Sequence, residues 1–351
     1  LFFDKVIINS ENYIYALIFL TLTISHSFAG GLEVSRQNNM LLLSKDKIFE
    51  TVVRQTSASV KDNVYSAFDG KSVIKQLNLV SAGYKSDYSD SISYAVEVYE
   101  PMASTLQYPT VVRIKALLRS RAISLTGKYQ SPNSPIGLIL GTRYLTIKRS
   151  TLNIGTVDLI TTPTSELGYM AGISYEKPEI ALKVLLTYSP AIDLTLPITV
   201  VSTATAKQAA MTTLDFETGI AKDTLLYGSI HQSSWKSAQI SLNGVGQISS
   251  FTDSDKYNIG VGRKFSEKLS GSVSYTSEPG GSATGTSLLS PTNGTDTYGL
   301  GVKYKTNFGD ITFGYALSTF GDKAVTSSLG TGNFKNNDAT TIGLKASFKI
   351  N

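Results

Sequence analysis

Hydrophobic and polar residues alternate one by one through the C-terminal half of the chain, and the alternating segments come in pairs. The clearest pair is YNIGVGRKF at 257–265 and LSGSVSY at 269–275, joined by Ser266, Glu267 and Lys268. One parity holds Tyr257, Ile259, Val261, Phe265, Leu269, Val273 and Tyr275. The other holds Asn258, Gly260, Gly262, Lys264, Ser270, Ser272 and Ser274. A period of two means extended strands with one apolar and one wet face. The pattern returns as Tyr298, Leu300, Val302, Tyr304 against Gly299, Gly301, Lys303, Lys305, and as Ile311, Phe313, Tyr315, Leu317 against Thr312, Gly314, Ala316, Ser318. A soluble sheet of this kind needs a second layer over its apolar face, and the sequence supplies neither an amphipathic helix nor a second set of core strands. Lipid is the remaining apolar partner. The pattern predicts an all-β protein, a transmembrane antiparallel β-barrel.

Alternation and breakers together predict about fourteen strands, an even number as bacterial barrels prefer. They begin near Ile48, Asn78, Ile92, Ala116, Gly137, Gly168, Ile180, Ala210, Thr224, Asp255, Leu269, Thr297, Phe308 and Thr340. Short connections rich in turn formers lie at 85–90, 131–135, 177–179, 221–223, 266–268 and 307–310. Long loops lie near 58–77, 101–115, 148–167, 189–209, 237–254, 278–296 and 319–338. The short turns are expected to face the periplasm and the long loops the outside. The first two strands and residues 224–235 have no clear parity. The last strand places Ile342, Leu344, Ala346, Phe348 and Ile350 on one face, so the final aromatic sits three residues before the end.

Composition fits this picture. Hydrophobic residues make up 41% of the chain and mean hydropathy is +0.01, too polar for a helical membrane protein but sufficient for a barrel, where only alternate residues meet lipid. With Tyr 19 against Trp 1, tyrosine is expected to form the interfacial girdles. Cysteine is absent, which excludes disulfides and thiolate metal sites.

Residues 13–24 are a continuous apolar-rich stretch followed by Ser27 and Ala29, the pattern of a signal peptide over 1–29. Removing it takes away one Lys and two acidic residues and leaves 31 basic and 25 acidic, a net of +6. So modest an excess suits lipopolysaccharide phosphates or anionic solutes, and no basic run with interleaved aromatics points to nucleic acid. Between the leader and the first strand, Met40, Leu41, Leu42 and Leu43 sit among polar neighbours. A segment this apolar is costly in the periplasm, so residues 30–47 are expected to fold back into the lumen as a plug, with the barrel over 48–351.

Three stretches, GYMAGISYEKPEIALKVLLTYS at 168–189, LDFETGIAKDTLLYGSI at 214–230 and IGVGRKF at 259–265, resemble the long-chain fatty acid transporter (FadL/TodX) family of outer-membrane proteins. The resemblance is closest over 168–351 and looser over 31–129. It implies a fourteen-stranded barrel plugged by its N-terminal segment and passive uptake of hydrophobic molecules, typically long-chain fatty acids or aromatic hydrocarbons. It also implies that cargo moves from an outer groove to a pocket against the N-terminus and leaves sideways at a kinked third strand. By position, the lateral gate would fall at Glu100, Pro101 and Met102, since Pro101 removes a ladder donor; the family's Asn-Pro-Ala triplet is absent there.

His231 with Ser229 or Ser233 could form a catalytic dyad, but a wall pattern is the better reading and no enzyme activity or cofactor is expected. Residues 280–285 are glycine-rich yet lack the Gly-Lys-Ser/Thr ending of a phosphate loop. Asp253 and Asp255 are too few for a calcium site. Arg143, Lys183, Asp215, Glu217, Lys264, Lys303 and Lys345 share the inward parity; such charges mostly fix a plug, with Arg143 or Lys183 as candidates to hold a ligand carboxylate. Met40, Leu41, Leu42 and Leu43 are candidates for ligand contact. The expectation is a monomeric outer-membrane transporter of long-chain fatty acids or other hydrophobic small molecules, in contact with outer-membrane lipids and lipopolysaccharide. The alternatives are a general porin for small polar solutes and a structural or adhesive barrel.

Overall fold

A computed structural model of the protein describes residues 30–109, 112–155, 157–199, 203–327 and 330–350; the expected leader at 1–29 lies outside the described residues. The wall consists of β1 (Ile48–Ser59), β2 (Leu77–Ser89), β3 (Ile92–Tyr99), β4 (Ile114–Gln130), β5 (Ile136–Ile147), β6 (Thr164–Lys177) and β7 (Leu182–Ser189). It continues through β8 (Met211–Ala221), β9 (Thr224–Ser233), β10 (Ser254–Lys264), β11 (Leu269–Glu278), β12 (Asn293–Lys305), β13 (Asp310–Gly321) and β14 (Asn337–Lys349). Each strand pairs antiparallel with the next, and β14 closes on β1 from Ile48 opposite Lys349 to Ser59 opposite Asp338. Fourteen strands form a closed barrel, which leaves no free sheet edge along the seam.

Side chains alternate as lipid requires. Tyr257, Ile259, Val273, Leu300, Val302 and Phe313 are exposed on the outer face, while inward neighbours such as Ser270, Lys303 and Thr312 are buried. Tyr144, Tyr169, Tyr188, Tyr257, Tyr275 and Tyr298 lie exposed toward the long-loop end, and Phe49, Tyr129, Tyr175, Phe265, Tyr304 and Phe308 toward the short-turn end. Tyr169 and Tyr175, like Tyr298 and Tyr304, are separated by roughly 20 Å of strand. Aromatic rings thus stand toward both ends of the apolar outer face, as a membrane-spanning barrel requires. At the seam Phe348 stacks between Phe49 and Phe308, with both centroid distances 6.4 Å.

The three strands without clear parity are explained by what they face. β1 turns Glu50, Val52, Arg54 and Thr56 inward, beside exposed Val53, so valines stand on both faces. β2 buries Leu77 and Leu79 but exposes Val80. β2 also runs to Ser89, so its turn is shorter than the connection expected at 85–90. In β9, Leu225 and Tyr227 are buried inward, against the usual polar lumen.

The long connections build a cap at the outer end. Ile192–Pro197 and Thr203–Gln208 form a hairpin extended by Ser241–Leu242, and Leu194, Leu196, Ala204, Trp235 and Phe251 share its apolar core. A second cluster joins Tyr65, Tyr108, Leu288 and Phe334 from other loops with Phe320 at the end of β13. Among the described residues no helix is long and apolar enough to cross a membrane; the strands do the crossing.

Candidate functional site

The wall is interrupted beside Pro101. The β2–β3 ladder runs from Ser89 opposite Ile92 to Ala82 opposite Val98 and stops. Beyond it, residues 77–81 keep their β1 partners, but among the described residues no ladder partner faces them on the β3 side. Pro101 falls where the register would need a donor, and proline has none. Pairing with β4 resumes at Ala103–Gln107. The gap closes again higher up, where the Lys75 and Gln107 amides donate to the Thr105 and Val73 carbonyls at 3.0 and 2.7 Å. About five residues of β2, roughly 16 Å of strand, thus border a window in the barrel.

The strand edge that turns away from β2 is taken by the N-terminal segment. The Val34 amide donates to the Pro101 carbonyl at 2.9 Å and the Ala103 amide to the Leu32 carbonyl at 3.0 Å, around the bridge of Glu33 with Met102. Val34, Leu77, Leu79 and Ala103 form one buried apolar cluster at the window. Tyr99 and Met102 belong to the apolar core of the cap, with Leu32 packed against it. A greasy surface therefore leads from the outer cap to the gap in the wall. Gly31 lies flat against the Trp235 indole, where a Cβ would collide with the ring.

Below the window, side chains stitch the segment to inward-facing wall residues. Arg36 pairs with Asp215 at 2.9 Å, and Gln37 Nε2 donates to Thr126 Oγ1 at 2.7 Å. The Asn38 amide donates to Glu97 at 2.9 Å and its side chain to Glu50 at 2.8 Å. Glu33 oxygens lie 2.9 and 3.0 Å from His231 Nε2, and Ser233 Oγ donates to Glu33 at 2.9 Å. Burial pushes the Glu33 carboxyl up, but the charges of His231 and Lys256 and the bonds from His231 and Ser233 outweigh it and hold the group well below the usual carboxylate range. Two cavities flank this stretch, of about 40 and 20 Å³. The larger holds about three waters at 10–15 Å³ each, and neither admits a fatty acid chain.

No protein-family model and no curated relative matches the chain. Solved structures do. A FadL homologue of Pseudomonas aeruginosa superposes with TM-score 0.70 at 12% identity, covering 88% of this chain and 91% of that one. The toluene transporter TodX of Pseudomonas putida gives 0.58 at 12%, covering 92% and 96%, and the toluene transporter TbuX of Ralstonia pickettii gives 0.58 at 10%, covering 86% and 90%. The chain has the FadL fold. At these identities the likeness speaks for architecture, and the residues of the site must be read from this chain.

Within the FadL fold, Met40, Leu41, Leu42 and Leu43 occupy a short 3-10 turn, Asn39–Leu43, buried to 1–2% exposure. They pack on inward-facing Ala95, Ile139, Met170 and Leu185. Leu41 approaches Gly83 so closely that a Cβ there would lie 2.6 Å from its Cδ2. Arg143 and Lys183 do not converge. Opposite the shared neighbour β6 they align with Gly168 and Glu176 respectively, roughly 27 Å apart along the strand. Lys183 is held by Glu217 at 2.8 Å. Arg143 lines the smaller cavity, bonds Gln208 at 3.3 Å, lies 5.8 Å above the Tyr99 ring, and keeps a buried Nε without a partner.

His231 does not complete a hydrolase relay. Its Nδ1 is 2.7 Å from Thr213 Oγ1 and its Nε2 is shared by Ser233 at 3.0 Å and Glu33, so no carboxylate orients the nitrogen opposite a serine. Asp253 accepts from the Lys236 amide and Asp255 from Gln232, each separately. Three residues that matter here were missed from sequence: Glu33, Arg36 and Arg54. Arg54 is buried on the larger cavity with an unpartnered Nη1. Its only sequence signal is an arginine two positions from Val52 in a strand of ambiguous parity.

Proposed function

We propose that the barrel is a passive outer-membrane transporter of hydrophobic compounds, most specifically of long-chain fatty acids, which leave the lumen sideways through the window at Glu100, Pro101 and Met102. The observation that carries this reading is the N-terminal segment lying on the broken strand edge among Val34, Leu77, Leu79 and Ala103. A gap lined by apolar side chains matches a cargo that prefers lipid to water, since each buried CH₂ contributes about 0.8 kcal/mol. Toluene is named as the cargo of two neighbours in fold, and an apolar passage of this kind serves an aromatic ring by the same physics.

The segment acts as a plug with a fixed base and a movable upper part. Burying Met40, Leu41, Leu42 and Leu43 contributes roughly 1.5–3 kcal/mol per side chain as an upper range. The upper part is held by buried charge pairs and hydrogen bonds, which cargo entering from the outer end must displace. Once it lifts, the acyl chain reaches down to the floor made by residues 40–43, and Arg143 orients the carboxylate with its spare donor. The outward-facing Arg121 and Lys115 near the outer rim suit lipopolysaccharide phosphates, and a barrel closed on itself at the β14–β1 seam suits a monomer.

The general-porin alternative asks for a standing water path, whereas the cavities beside the segment hold only a few waters. The experiment is uptake of labelled oleate by outer-membrane vesicles beside single-channel conductance, for the intact chain and one lacking residues 40–43. Uptake with negligible conductance, converted to ion leak by the deletion, is the expected result. Large steady conductance of the intact chain without oleate uptake would make it a porin.

A further inference from the structure

A side-chain bridge crosses the window. Arg119, on the β4 side, donates from Nε and Nη2 to Glu100 Oε1 and Oε2, each at 2.6 Å. The same Nη2 reaches the Asn78 carbonyl of β2 at 3.0 Å. Asn78 lies within the stretch of β2 that lost its ladder partner, so the guanidinium spans the gap that Pro101 opens. Glu100 is buried, while the Arg119 side chain is 41% exposed toward the outside of the barrel. Glu100 is itself fixed, because its Oε1 accepts the Ser120 amide at 3.0 Å and its carbonyl accepts Ser35 Oγ at 2.5 Å.

Resting on the lateral-exit reading, we propose that Arg119 is the clasp of the window: a side chain that bars the gap between β2 and β4 and must swing off Asn78 for cargo to pass. The chemistry favours arginine in this place. Its planar fork holds both carboxylate oxygens and still offers a donor to a third acceptor, which a lysine ammonium on a flexible stem does not reproduce. In the low-polarity rim of a membrane such charge-assisted bonds are stronger than in water. The carboxylate anchors the clasp to the β3 edge, and the Asn78 bond is the one that opens. Ser35 ties the same Glu100 to the N-terminal segment, so displacing that segment loosens the anchor of the clasp.

The test uses the full chain in host cells without their own fatty-acid channel, with radiolabelled oleate as probe and heat-modifiable migration as the check of assembly. Because the sequence has no cysteine, Asn78→Cys with Arg119→Cys gives a pair that a bismaleimide can bridge, alongside Arg119→Gln and Arg119→Lys. A clasp that limits exit predicts that Arg119→Gln, Arg119→Lys and the unbridged cysteine pair raise the maximal uptake rate about tenfold, equal to about 1.4 kcal/mol. The half-saturating concentration stays unchanged, and bridging abolishes uptake. If bridging stops uptake but none of the open variants exceeds the parent, the lateral exit stands and the clasp is wrong. If bridging leaves uptake untouched, the lateral exit itself is wrong and the clasp falls with it. Should Arg119→Gln fail to assemble, the cysteine pair before and after bridging reads both questions in one folded protein.

Discussion

Replacing Glu33 by glutamine should release the upper part of the N-terminal segment while leaving the barrel closed. Glu33 is buried, accepts from Ser233 and pairs with His231, which is itself buried. Glu33→Gln keeps the shape but removes the charge opposite His231 and Lys256. Breaking a buried pair by neutralising one partner costs about 3–5 kcal/mol, and the lower figure is apt because the amide can still bond Ser233. About 3 kcal/mol raises the fraction of released segment roughly 150-fold. A Ser35→Cys background supplies the assay, since Ser35 is buried and the chain has no other thiol. The rate of thiol labelling should rise by about two orders of magnitude in Glu33→Gln, with unchanged migration of the folded barrel. An increase below threefold would refute the argument that this charge pair holds the segment down.

Acid should act on the same contact. Glu33 is held below the ordinary carboxylate range when docked and returns to about 4.3 when released, so the released form takes up a proton first. The docking contribution is complete above about pH 4.3 and declines below it; hydrogen exchange at residues 31–39 should show protection lost on that limb, with Glu33→Gln flat. On the lipid face, Leu300→Arg should destabilise the barrel by about 2–4 kcal/mol in bilayer unfolding titrations, and no change would mean Leu300 does not meet lipid. Gly83→Ala should cost about 1–3 kcal/mol by crowding Leu41. Adding Leu41→Ala should then recover part of that loss in a double-mutant cycle, which strictly additive effects would contradict.

Much of the wall was legible because lipid imposes a simple rule. Val273, Leu300 and Phe313 had to face outward once alternation was recognised, and they do. The rule weakened where the lumen itself is apolar. Leu77 and Leu79 point inward because Val34 of the N-terminal segment and Ala103 offer them greasy partners, and a period of two cannot distinguish that from contact with lipid. These exceptions cluster at the window, so the strand hardest to read lies closest to the candidate site. Pro101 flagged the break, but nothing local to Arg119 announced that it would reach Glu100, 19 positions away, and Asn78, 41 positions away.

Alternation, turn residues and loop lengths are local properties, and they carried the all-β barrel, its approximate strand number and the lipid-facing set of the strands with clear parity. Pairing across the barrel is not local. It was tertiary structure that set Arg143 and Lys183 far apart along the lumen, gave His231 to Glu33, and laid Leu32 and Val34 against the edge that Pro101 had freed. The physical reason is that a strand's face is written in its own residues, whereas register, the fold-back of residues 30–47 and the contacts of long side chains depend on closure of all fourteen strands around one lumen.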